Sequence, residues 1–233
     1  MPGPTWMAMW ILGTLLEVVV LVGIYRTGVL RRYLFLSLYT LSSVAISIGR
    51  FRVLFHYGGV TSAEYRYFYF YSDALLTIAL YFAVISLFFQ VFEQMRVERY
   101  LRFAAVLLLA GTAWFSYAIV SQSSGRMLTH FAFELSQNLY FVGLALTYVL
   151  WGAIVKLRET RTQLIQIVLS LGIYFSAYAA TYALANLAPG IYPYARFLLS
   201  AFGCLLPLSW AYAFWRVPVN ARLVPARLLE VAQ

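Results

Sequence analysis

Residues 67–89 read YFYFYSDALLTIALYFAVISLFF, and this stretch decides the fold. It contains one charged side chain, Asp73, and is otherwise aromatic, aliphatic or hydroxyl-bearing. About 20 mostly apolar residues are enough for an α-helix to cross the hydrocarbon core of a bilayer. Six further stretches of similar character lie along the chain, so the sequence predicts an all-α membrane protein, a bundle of seven transmembrane helices. The predicted helices are 6–24, 33–55, 67–89, 101–120, 131–155, 164–187 and 191–215.

The composition supports the same fold class. Of the 233 residues, 63% are hydrophobic and 11% are charged, and the mean hydropathy is +0.79. Soluble domains carry about 25% charged residues, so lipid is the expected solvent for this chain. The net charge is +9, but the basic residues lie between the apolar stretches and form no patch with stacking aromatics. We therefore expect the lipid bilayer as a partner and no nucleic acid.

The basic residues also predict how the bundle is oriented. Short loops rich in Lys and Arg face the cytoplasm. Twelve of the 17 basic residues fall in the first, third and fifth connections and in the segment after the last helix. The sequence therefore predicts an outside N-terminus and one transmembrane domain over 1–233, with residues 216–233 as a short cytoplasmic tail. The twelve are Arg26, Arg31, Arg32, Arg96, Arg99, Arg102, Lys156, Arg158, Arg161, Arg216, Arg222 and Arg227.

Four ionisable residues are predicted at a similar depth near the outer ends of their helices. They are Arg50, Asp73, Glu134 and Arg196. At ~1.5 Å per residue, each lies on the order of 5–9 Å below the outer surface. An unpaired charge in a low-dielectric interior is costly. We therefore expect an interhelical network with at least one direct ion pair.

Polar residues repeat with helical spacing on five of the helices, which predicts that these stripes face the interior. The fourth helix is much less polar, so we expect it to face lipid. Two interpretations remain open. The groups either pair with one another to lock helix packing, or line an outward-opening pocket for an amphiphilic or zwitterionic ligand, with a cavity of ~300 Å³ or more. The predicted ligand-binding residues are Arg50, Asp73, Glu134, Asn138, Arg196, Tyr69, Tyr178 and Tyr182.

Glu17 is predicted to lie apart from this layer, about eleven residues into the first helix and near the bilayer midplane. No basic residue is expected at that depth. We expect either a neutral carboxylic acid hydrogen-bonded to Ser47 or Tyr178, or a residue that couples transport to a proton or ion.

Several chemistries are disfavoured by the sequence, and we expect no cofactor. Retinal attachment needs a lysine within a helix, and the only lysine, Lys156, lies at a helix end. The two histidines, His56 and His130, lie at the outer edge; with Glu134 they give a weak prediction of a metal site. No catalytic constellation is found, so we expect no enzymatic activity.

The aromatic stretch 67–75, the sequence Gln90-Val91-Phe92-Glu93 before a basic connection, and 171–174 resemble a group of uncharacterised bacterial seven-helix membrane proteins. The resemblance implies the cytoplasmic (inner) membrane of a bacterium. It implies no activity and no site residue.

Three functions are therefore expected. The first is a receptor-like or sensory bundle with an outward pocket, which would need a separate protein partner at its cytoplasmic face. The second is a small transporter or channel that uses Glu17. The third is a non-catalytic subunit of a larger membrane complex.

Overall fold

The computed structural model describes residues 4–57, 59–95, 98–121, 127–187 and 192–223, and the side chains of 94, 127, 185, 186 and 192–197 lie outside that description. Its described part is helical and contains seven helices that are long and apolar enough to cross a membrane, as predicted. A single turn of 3-10 helix, Glu93–Met95, precedes the fourth long helix. The helices are α1 (Pro4–Arg26), α2 (Leu34–His56), α3 (Ala63–Val91), α4 (Glu98–Ser121), α5 (Met127–Lys156), α6 (Thr162–Leu187) and α7 (Tyr192–Arg216).

Local chemistry fixes several helix ends. Helix α3 begins after Ser62, whose hydroxyl accepts a hydrogen bond from the Tyr65 backbone N–H at 3.3 Å, and Glu64 lies in its first turn. Helix α1 ends just before Gly28, whose φ of +69° is a left-handed conformation that glycine adopts without steric cost. The Ser62 cap and Glu64 let α3 begin at Ala63, four residues earlier than the predicted residue 67.

Six of the helices form a closed ring. Going round it, α1 packs on α2, α2 on α3, α3 on α5, α5 on α6, α6 on α7, and α7 returns to α1. Helix α4 lies outside the ring against α5 and α3, which agrees with its apolar sequence. The contact of α1 with α7 is close at Gly23, where an added Cβ would lie 2.7 Å from the Trp215 indole nitrogen.

The bundle has two different ends. The amino-terminal end carries the start of α1 and the α2–α3 connection; the carboxy-terminal end carries the α1–α2, α3–α4 and α5–α6 connections and the end of α7. At the carboxy-terminal end, Arg161 donates to the Gln90 carbonyl at 2.7 Å and to Glu159 Oε2 at 2.6 Å. The segment after α7 joins this cluster, since the Leu223 N–H donates to the Thr160 carbonyl at 2.8 Å. These contacts tie the end of α3, the α5–α6 connection and the segment after α7 together.

Candidate functional site: a tyrosine-lined cavity inside the ring

A cavity of about 590 Å³ occupies the amino-terminal half of the ring. Along α3 it extends from Tyr65 to Leu80, about 22 Å at ~1.5 Å per residue. All six ring helices contribute lining residues, whereas no described residue of α4 does. The volume lies within the range of ligand pockets, roughly 300–1,000 Å³. The expectation that a pocket would show at least ~300 Å³ is therefore met.

Seven tyrosines line this cavity, and they include Tyr69, Tyr178 and Tyr182 from the predicted set. Several of these rings contact one another. Tyr178 stacks on Tyr140 with ring centroids 4.7 Å apart and lies 4.4 Å from Tyr174. Because each ring is rigid and carries one hydroxyl, the wall is apolar over most of its area with scattered polar groups. The remaining members are Tyr39 and Tyr65.

The cavity also contains an ion pair between two of the four charged residues that were predicted to form a network. Arg50 Nη2 of α2 lies 3.9 Å from Asp73 Oδ1 of α3, and the two side chains are only 15% and 22% exposed. Arg50 also donates to Ser72 Oγ at 2.8 Å and to the Tyr69 carbonyl at 3.2 Å, and its guanidinium lies 4.3 Å from the Tyr69 ring centre. The prediction of at least one direct ion pair among the four charged residues is therefore met by Arg50 and Asp73.

Glu17 lies deeper than the outer charges, beside Ser43, but it lines the same cavity as Arg50 and Asp73, which the sequence did not indicate. Its partner also differs from prediction: Ser43 Oγ, one turn from Ser47, donates to Glu17 Oε1 at 2.6 Å. Within the described part of the chain, Glu17 Oε2 is buried without a hydrogen-bond partner. The shared cavity was missed because α1 was given no polar stripe, although its cavity-lining residues recur every three or four positions. These residues are Trp6, Met9, Trp10, Gly13, Thr14 and Glu17.

Asn138 of α5 was predicted to face the interior of the bundle, but its side chain points out of the ring toward α4. Its side-chain amide donates to Ser116 Oγ of α4 at 3.0 Å, outside the ring. Glu134, four residues before it, is half-buried and does not line the cavity. The face of α5 that points into the cavity instead carries Phe133 and Tyr140. A polar residue need not face the interior, because an amide side chain can be satisfied by a hydroxyl on a neighbouring helix as well as by interior groups.

The remaining predictions concern Arg196 and the metal site. The Arg196 backbone belongs to α7, but its side chain lies outside the described residues. His56 and His130 are both exposed. Among the described side chains, no three His, Cys, Asp or Glu residues lie close enough to share a metal ion, which removes the support for a site formed by His56, His130 and Glu134.

The cavity has a floor near the middle of the bundle. Trp210 of α7 is 1% exposed, donates from Nε1 to Ser170 Oγ at 2.9 Å, and meets the ring of Tyr39 edge to face at 5.8 Å. Beyond it, buried aliphatic side chains such as Leu87 and Ile167 fill the carboxy-terminal half of the ring. The cavity therefore extends from the amino-terminal end to Trp210.

Comparison with known protein families, with curated proteins and with solved structures finds no match for this chain. The cavity is therefore the main evidence for the function of this chain.

Proposed function

We propose that this chain is a multi-pass membrane protein that binds a small amphiphilic ligand in the cavity and acts as a receptor-like or sensory bundle. The observation that carries the proposal is the 590 Å³ cavity, which combines an apolar tyrosine wall with three partly buried ionisable groups, Glu17, Arg50 and Asp73. Ligand sites typically pair an apolar wall with a few placed polar groups. Groups that served packing alone would saturate one another and leave no such volume.

The proposed membrane is the cytoplasmic membrane of a bacterium, with the amino-terminal end outside. Basic residues support this orientation, because those in the described part lie mostly at the carboxy-terminal end. A reporter fused after Gly59 should then lie outside, and one fused after Gln233 should lie in the cytoplasm. Two reporters on the same side would contradict the proposed topology.

A floor beneath the cavity favours binding over free passage. Trp210 and the aliphatic side chains beyond it separate the cavity from the carboxy-terminal end. A signal would therefore have to travel through helix movement to a separate protein, because the described chain has no domain outside the bundle. The partner would dock at the carboxy-terminal end, where exposed arginines such as Arg99 and Arg102 lie.

A small transporter is the second candidate, and Glu17 is the observation that favours it. A buried carboxyl in a spanning helix, with one oxygen unsatisfied among the described residues, is a group that can take up a proton or cation. Sealed liposomes containing the protein would distinguish the two functions. Proton or solute flux above that of empty liposomes would favour transport, whereas binding without flux favours the receptor-like role.

The test of the binding proposal is recovery of small molecules that copurify with the protein. The protein would be extracted with its native lipids, denatured and analysed by mass spectrometry beside two variants. Gly203→Phe places a ring in the cavity, and Gly152→Phe places the same ring where nothing lies within 4 Å of an added Cβ. We expect a compound that is present with the wild type and Gly152→Phe and absent with Gly203→Phe. Identical small-molecule content in all three folded proteins would contradict the proposal.

A further inference from the structure

Among the described side chains that line the cavity, Arg50 is the one partly buried cation, and groups of the protein itself already contact it. Arg50 donates from Nε to Ser72 and from Nη2 to the Tyr69 carbonyl, and its guanidinium lies beside Asp73 and the Tyr69 ring. The other lining cation, Arg66, is exposed. An anionic group that entered the cavity would have to compete with Asp73 for Arg50. The cavity is therefore poorly suited to a carboxylate or phosphate.

Glu17 presents the opposite situation. Its Oε1 accepts from Ser43, and its buried Oε2 has no hydrogen-bond partner among the described residues. A buried polar atom without a partner is costly, and more so when the group is charged. Among the described residues of the lining, the formal charges of Arg50 and Asp73 cancel, which leaves Glu17 as the acid without a paired cation. The group that completes this site is an N–H donor with positive charge.

The surrounding wall fits the same type of ligand. Rings from Tyr39, Tyr140, Tyr174 and Tyr178, together with Trp10, line the cavity that Glu17 shares. Aromatic faces attract ammonium groups within about 6 Å, and the attraction grows when water is excluded. The same rings offer an apolar surface to an aromatic or aliphatic body.

We propose that the ligand is an amphiphilic organic amine that binds in its protonated form, with its N–H group at Glu17 Oε2 and its apolar body among the tyrosines. This inference rests on the proposed ligand-binding function and narrows it. The opposite charges of the lining alone would suit a zwitterion, whereas Glu17 assigns a cationic ligand. A volume of about 590 Å³ accommodates a body of one or two fused rings.

A matched set of probes tests the assignment. The same naphthalene ring would carry an ethylammonium, an ethanol or an acetate side chain, and binding to the full chain in lipid nanodiscs would be measured by calorimetry. We expect the amine to bind about 10-fold to 100-fold more tightly than the alcohol, as a charge-assisted hydrogen bond would give. The carboxylate should bind most weakly. Glu17→Gln should reduce amine affinity to about that of the alcohol, because the amide that replaces the carboxylate carries no charge.

The matched control is Glu98→Gln, which removes an exposed carboxylate that is far from the cavity lining. It should leave all three affinities unchanged, and an unfolding transition of Glu17→Gln like that of the wild type shows that this variant is folded. Equal affinity for the amine and the alcohol in the wild type, or an amine preference that survives Glu17→Gln, would overturn the amine assignment alone. Binding of none of the three probes would overturn the ligand-binding function as well.

Discussion

The two halves of the ring are built from the same six helices, yet one is hollow and the other is filled. The amino-terminal half is lined by tyrosines, Glu17 and the Arg50–Asp73 pair. In the carboxy-terminal half, aliphatic side chains such as Leu87, Leu164 and Ile167 are fully buried against one another. Branched aliphatic side chains interdigitate and leave few voids. Rigid rings and paired charges leave space between them, so the difference lies in the side chains and not in the arrangement of the helices.

Loss of Arg50 should have the largest effect on the hollow half. Arg50→Leu leaves Asp73 without its cation, and removal of one partner from a buried pair costs on the order of 3 kcal/mol. The free energy of unfolding in bicelles would measure this cost. Glu98→Gln breaks the exposed Glu98–Arg102 pair, whose side chains are 60% and 72% exposed, and should cost at most about 1 kcal/mol. Equal costs for the two variants would mean that the cavity pair is as well solvated as the surface pair.

Overpacking should have the next largest effect, and it addresses the α5–α6 contact behind the cavity wall, where Phe175 packs against Tyr140 and Tyr174. A Cβ at Gly143 of α5 would lie 2.4 Å from the ring of Phe175, a residue that is 1% exposed. Gly143→Ala should therefore lower the free energy of unfolding by about 2 kcal/mol. Gly152→Ala, on the same helix with open space around its Cβ, should be neutral or slightly stabilising. If Gly143→Ala is tolerated as well as Gly152→Ala, the contact between Gly143 and Phe175 is less tightly packed than the structure shows.

Charge at the carboxy-terminal surface should have the smallest effect. Hydrogen bonds from Arg161 lower the pKa of Glu159 below its ordinary value of 4.5. The folded-state pKa lies below that of the unfolded chain, so the Glu159 carboxylate stabilises the fold above pH 4.5, and this contribution is lost as the pH falls through the lowered folded-state pKa. Unfolding measured as a function of pH should show a shallower acid-side loss for Glu159→Gln. The same slope with and without the carboxyl would contradict the role of this cluster.

Hydropathy was sufficient to predict the seven helices, because lipid demands long apolar helices whatever the packing. It also placed α4 outside the ring, since that helix offers few polar groups. An ion pair among the outer charges, seen between Arg50 and Asp73, could be predicted because an isolated charge at that depth is costly. In these cases the apolar interior of the bilayer is enough to determine the structural feature.

The rest of the site depended on how each helix is rotated, which one polar residue does not determine. Asn138 was predicted to face inward because it is polar, but Ser116 on α4 satisfies it. Glu17 was placed apart because its depth was counted from the helix end, without the aromatic and small residues that mark the inward face of α1. Aromatic residues at helical spacing, and not polar ones alone, identify the lining of this cavity.

The most direct test of the hollow half uses Cys204, the single cysteine of the chain, which lines the cavity. A charged, water-soluble methanethiosulfonate would be applied to the folded protein in nanodiscs. We expect Cys204 to be labelled, because the cavity opens toward the amino-terminal end. A control that combines Cys204→Ser with Ala83→Cys moves the thiol to a position with 0% exposure in the filled half, and it should stay unlabelled until the protein is unfolded. A Cys204 that reacts only after unfolding would contradict the account.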